Sequence, residues 1–207
     1  MVVIALGASG QAQATCVSNT PITAPNSAAG TSCPITAAAA TVDIVFAYKA
    51  AADTDLLLNG VVQLISNHDP IGSHVQLTGL TVGQLLSFVF KDATQGNTFS
   101  AGGGGADGFQ HIAVQTTFAD FQTDAHSQFL TSLDLGSAYS VMTGIAPIGQ
   151  WTFLGMEDLL ARQGSDFDYN DLIIGVRGIV DVPEPTSLAL LGFGLFGLGL
   201  LRRRRHA

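Results

Sequence analysis

Between residues 41 and 176, short apolar runs are broken again and again by glycine, aspartate, asparagine or proline, a rhythm that suits β-strands far better than helices. In Thr41-Val42-Asp43-Ile44-Val45-Phe46-Ala47-Tyr48, period two puts Val42, Ile44, Phe46 and Tyr48 on one face, which predicts a half-buried strand. Leu56-Leu57-Leu58 and Val61-Val62-Gln63-Leu64-Ile65 flank Asn59-Gly60, a pair that accepts the positive φ angles of a type I′ turn and would break a helix. A hairpin is predicted there. Further runs at 75–77, 85–90, 112–118, 151–154 and 172–176 have the length and spacing of an antiparallel sandwich. The expected fold class is all-β: one antiparallel β-sandwich or jelly-roll-like domain over residues 41–181, followed by a C-terminal apolar helix. Residues 37–40 and 120–133 are the local helical exceptions expected, and Gly102-Gly103-Gly104-Gly105 reads as a flexible loop. The stretch 15–182 is long enough for one domain with a substantial core, and no internal repeat is evident.

The chemistry concentrates in one late segment. Glu157-Asp158 and Asp166-Phe167-Asp168-Tyr169-Asn170-Asp171 place five carboxylates and one amide in fifteen residues, with Arg162 as the cation among them. Folded close together, these carboxylates would repel one another, and a bound cation would relieve the repulsion. Hard oxygen donors at alternate positions suit Ca²⁺, which takes about six to eight oxygens in irregular geometry, whereas Mg²⁺ demands a stricter octahedron. With neither His nor Cys in the cluster, zinc is disfavoured. The segment is not an EF-hand: with Asp166 at position one, Asp168 and Asn170 fall at three and five, but Asp171 replaces the glycine of position six and Arg177 the glutamate of position twelve. The expected calcium ligands are therefore Glu157, Asp158, Asp166, Asp168, Asn170 and Asp171, at the start of a strand. The competing reading is an acidic surface turn with solvated carboxylates. Asp107 and His111 are candidates to join the loop across the fold; the alternative is that His111 packs at a strand start while Asp107-Gly108 makes a turn. His68, His74 and His126 read as surface or satisfied histidines. No Gly-x-Ser-x-Gly nucleophile elbow occurs.

The C-terminus has a different character. Val182-Pro183-Glu184-Pro185 precedes sixteen uncharged residues, 186–201, and then Arg202-Arg203-Arg204-Arg205. As a helix the apolar run would reach only about 24 Å, short of a bilayer core of about 30 Å. Its glycines lower helix propensity, so it suits a temporary stay in a membrane. The arginines hold their end in the cytoplasm and leave the rest of the chain outside. Pro183 and Pro185 lack N–H groups and keep Glu184 in an extended segment that a processing enzyme can bind. At the other end, an apolar run at 2–8 and Ala12-Gln13-Ala14 fit a signal peptide over 1–14 whose basic n-region is expected upstream of Met1. Export would bring Cys16 and Cys33 into an oxidising compartment, where a disulfide is the natural pairing, tying down the N-terminal segment 15–40. Before Arg202 the chain carries sixteen acidic residues against four basic ones, a balance of −12, which makes nucleic acid an improbable partner.

Two resemblances follow from these residues. The order Val182-Pro183-Glu184-Pro185, apolar segment, Arg202 to Arg205 resembles the PEP-CTERM sorting signal. That family implies export in a Gram-negative bacterium, recognition by an exosortase-type sorting enzyme, transient membrane association through 186–201 and removal of the segment behind the motif. Phe153-Leu154-Gly155-Met156-Glu157-Asp158 together with Asp166-Phe167-Asp168-Tyr169-Asn170-Asp171-Leu172-Ile173, and upstream Ala106-Asp107-Gly108-Phe109-Gln110-His111, is similar to an exported bacterial β-domain family, domain of unknown function 4114. That family implies a calcium-associated β-fold without an established reaction. The expectation is an exported, non-enzymatic, calcium-binding β-domain of the cell envelope or extracellular matrix, with exopolysaccharide or other matrix components as partners. The alternative is an exported glycan hydrolase that uses the same acids.

Overall fold

The computed structural model describes residues 35–181, except 51–52, 102–104, 108, 110, 116 and 122–127. The Cys16–Cys33 pairing, the signal peptide, His126 and the apolar segment 186–201 lie outside the described residues. Among the described residues no helix is long and apolar enough to cross a membrane.

The described residues form twelve strands: β1 (Ile35–Ala37), β2 (Thr41–Tyr48), β3 (Thr54–Leu58), β4 (Val62–Ser66), β5 (His74–Thr78), β6 (Leu85–Leu86), β7 (Phe88–Asp92), β8 (Thr98–Ser100), β9 (Ile112–Gln115), β10 (Thr152–Met156), β11 (Leu172–Arg177) and β12 (Ile179–Asp181). One α-helix, α1 (Ser137–Ile145), joins them. The strands make three antiparallel sheets in the orders β5-β2-β11-β10-β9, β4-β3-β7-β8 and β12-β1-β6. The fold is all-β and sandwich-like, as the apolar rhythm predicts.

The five-stranded sheet is apolar on both sides. Val42, Ile44 and Phe46 of β2, with Leu154, Met156, Leu172, Ile174 and Val176, pack against Leu56, Phe88, Phe90 and Phe99 of the four-stranded sheet and Ile35 and Leu86 of the three-stranded one. Val45, Ala47, Phe153 and Ile173 point the other way, under Ala138 and Met142 of α1 and under Phe121, Leu130, Leu135 and Trp151. Strand β2 is thus buried on both faces, not half-buried as period two alone suggests. Tyr48 also leaves the face expected of it. The β2–β11 register slips between Ile173 and Ile174, which pair with Tyr48 and Phe46, so Tyr48 turns towards the second cluster.

The predicted hairpin is present: β3 and β4 pair, and Asn59 and Gly60 take φ of 54° and 72°. The helical expectation at 37–40 is corrected: Ala37 ends β1, whose backbone pairs with β12 and β6, and 38–40 are bends. Of the expectation at 120–133, residues 122–127 lie outside the described residues, and 118–120 are one turn of 3₁₀-helix. The α-helix lies further on, at Ser137–Ile145, where Ala138, Val141, Met142 and Ile145 fall at i, i+3, i+4 and i+7 and face the sheet. Gly175 lets α1 sit close, since a Cβ there would lie 2.6 Å from the Met142 Cε.

Candidate functional site

Strands β10 and β11 form a hairpin with a long connection. Met156 pairs with Leu172, so Glu157 and Asp158 leave one strand where Asn170 and Asp171 enter the other. The Asp171 N–H donates to the Met156 carbonyl at 3.1 Å, and the Glu157 N–H to the His111 carbonyl at 3.0 Å, which extends the ladders past the last strand residues. The Asp158 N–H donates to Asp171 Oδ2 at 2.8 Å and ties the two ends together.

The loop between them is anchored by two aromatic side chains in unusual backbone geometry. Phe167 and Tyr169 have φ of 56° and 59°, a region that costs bulky L-residues about 1–3 kcal/mol each. Both are buried in the second core cluster, and burial of an aromatic ring, worth about 1.5–3 kcal/mol, offsets that strain. Phe167 packs against Phe109 and His111 at ring separations of 5.3 and 5.6 Å. With alternate residues held in the core, Asp168 and Asn170 are themselves buried. Asn170 donates from Nδ2 to Asp168 Oδ2 at 2.6 Å.

The sequence-predicted acids converge. Ligand oxygens of Glu157, Asp166 and Asp168 all lie within 4.8 Å of one another, and those of Glu157, Asp158 and Asp171 do likewise, so Glu157 belongs to both groups. Glu157 is 2 % exposed, and its Oε2 is buried with no hydrogen-bond partner among the described residues. An orphaned carboxylate oxygen in the interior carries a full desolvation penalty. Burial, with the Asp166 and Asp168 charges adding to it, pushes the Glu157 carboxyl up to about 8. Burial and then the charges of Glu157 and Asp158 push Asp171 up to about 9. Asp158 is also raised, by burial first and then by the Asp92 charge. Arg162 is exposed and forms no ion pair among the described residues, so it does not neutralise the group. The donors are all hard oxygens, the set that Ca²⁺ takes, and a cation would stand where protons otherwise must.

Asp107 and His111 do not join either group of three. His111 is fully buried ahead of β9, stacked on Phe99 with ring centroids 4.1 Å apart, and its Nε2 lies 3.0 Å from Asp107 Oδ1. Asp107 Oδ2 accepts the Ala161 N–H at 2.8 Å. Burial works against the Asp107 charge, but the Ala161 N–H, His111 and the Phe109 N–H outweigh it and bring its carboxyl down to about 2. The pair therefore braces the acidic loop from outside. Gly105 makes room for it, since a Cβ there would meet the His111 Cδ2 at 2.4 Å.

A second brace was not legible in the sequence. Asn97 Nδ2 donates to the Asp158 carbonyl at 2.8 Å and to Gln163 Oε1 at 2.9 Å, and Gln163 Oε1 also accepts the Leu160 N–H at 2.9 Å. Asn97 lies sixty-one positions before Asp158 and carries no local motif. The other described histidines are paired: His74 lies 3.0 Å from Asp43, which also accepts from Gln76 and Arg177 and is satisfied by them, and His68 contacts Asp53 at the surface.

Comparison with known proteins bears on the tail. Residues 181–205 match the PEP-CTERM protein-sorting motif. This motif indicates a protein sorted by an exosortase system to the cell envelope, with the exosortase as its sorting partner. No curated protein and no solved structure matches the chain significantly.

Proposed function

We propose that the body of this protein is a non-enzymatic, calcium-binding β-domain, delivered by its sorting signal to the cell surface or the extracellular polysaccharide matrix of a Gram-negative bacterium. The observation that carries the reading is Glu157: 2 % exposed, one oxygen unpartnered, and in ligand range of four aspartates. The ligands are Glu157, Asp158, Asp166, Asp168 and Asp171, with Asn170 orienting Asp168. The likeness of 153–173 and 106–111 to the exported domain of unknown function 4114 family supports the same reading through its calcium-associated β-fold. Exopolysaccharide or another matrix component is the partner proposed for the exported body. The apolar segment 186–201 then serves delivery, and the segment behind the motif is removed. The hydrolytic alternative is opposed by the same burial. A catalytic acid must reach the glycosidic oxygen, and Glu157 is shut away from any sugar.

Calorimetric titration of the chelator-stripped full chain with Ca²⁺ tests this directly. Binding is expected to exceed that of Mg²⁺ by at least about tenfold, or about 1.4 kcal/mol. Asp166→Ala, at an exposed position that leaves the core alone, and Asp168→Ala should each weaken it by about tenfold or more. Heat changes absent in the wild-type chain, or unaltered in both variants, would remove the calcium reading.

A further inference from the structure

The two groups of three carboxylates share one member and differ in how they meet solvent. Glu157, Asp166 and Asp168 open towards exposed Asp166, while Glu157, Asp158 and Asp171 open towards half-buried Asp171. Asp171 accepts the Asp158 N–H at 2.8 Å, which holds the two carboxylates of this group side by side. The Glu157 carboxylate lies between the groups, nine-tenths buried and more, with Oε2 unpartnered among the described residues.

Resting on the calcium reading above, we infer that the loop holds two calcium ions bridged by Glu157, one on Asp166 and Asp168 and the other on Asp158 and Asp171. Charge count favours two over one. Five carboxylates carry −5; a single divalent ion leaves −3 in a largely buried space, and two leave −1. A carboxylate with one oxygen for each ion spans the roughly 3.5–4 Å that separates paired metals in two-metal sites. Each group supplies two carboxylates of its own plus the shared one. Water and main-chain carbonyls complete the six to eight oxygens that each ion takes, roughly, and exposed Asp166 opens the first group to solvent.

Counting ions by native mass spectrometry on the chelator-stripped full chain, reloaded with Ca²⁺ alone, tests the inference. Two ions per chain are expected in the wild type. Asp171→Asn, which keeps an oxygen for the Asp158 N–H, and Asp158→Asn should each retain one ion, as should Asp168→Asn, whereas Glu157→Gln should retain none at the same calcium concentration. Circular dichroism identifies any variant that fails to fold, and Asp158→Asn then stands in for Asp171→Asn. One ion in the wild type, unchanged in Asp171→Asn and Asp158→Asn, would overturn the second site and leave the first standing. No ion in the wild type would overturn both.

Discussion

At the scale of single residues, the acidic loop is held by what surrounds it as much as by its carboxylates. Gly155 is the clearest case. A Cβ there would lie 2.2 Å from the Phe121 Cε1 and 2.3 Å from the Tyr169 carbonyl oxygen, and the second neighbour is backbone that cannot swing away. Gly155→Ala should therefore push on the Tyr169 turn and destabilise the fold by about 1–3 kcal/mol, read as a lower denaturant midpoint. An unchanged midpoint would mean that the loop is looser than its packing indicates. The acids themselves were legible in the sequence because they are contiguous, and their number within fifteen residues exceeds what a turn needs. Their geometry was not. Phe167 and Tyr169 occupy a backbone region that aromatic residues avoid, and their burial in the second core cluster makes it tolerable. Asn97 escaped for another reason: its hydrogen bonds reach across the sandwich to residues far along the chain.

At the scale of elements, the structure turns on the five-stranded sheet being covered twice. Period two identified β2 as a strand and placed Val42, Ile44 and Phe46 together, but it cannot reveal what lies on the opposite face. That cover comes from α1 and the segment around Trp151, a hundred residues away in sequence. The helix itself shows a short apolar stripe, Ala138, Val141, Met142 and Ile145, in only nine residues, and a stripe of that length is easily passed over. Strands β1, β8 and β12 have three residues each, too few for any periodicity to register. Met142 is the contact that joins α1 to the sheet: it is fully buried, at the face opened by Gly175. Met142→Ala should cost about 2–5 kcal/mol in chemical denaturation. A loss below about 1 kcal/mol would show that α1 is dispensable to the core.

At the scale of the whole molecule, the sorting motif at 181–205 and the acidic body describe a protein whose place and whose electrostatics belong together. On the calcium reading proposed above, a calcium-rich exterior would supply the ion to the buried carboxylates. Stripped of calcium, the folded chain must keep protons on Glu157, at about 8 against an ordinary 4.5, and on Asp171, at about 9 against 3.8. The unfolded chain releases those protons at much lower pH, so between the ordinary and the raised values the folded state binds more of them. Stability without calcium is then greatest in mild acid and falls as pH rises towards 8 and 9. Calcium displaces the same protons, so its stabilisation grows over that window. The direct test is thermal melting of the full chain at pH 5 and pH 8, each with chelator and with calcium at about a hundredfold above its Kd, where mass action contributes about 2.7 kcal/mol. The account predicts a melting temperature several degrees higher with calcium at pH 8, shrinking at pH 5, and reduced in Asp168→Ala. Curves that coincide with and without calcium at pH 8 would contradict it.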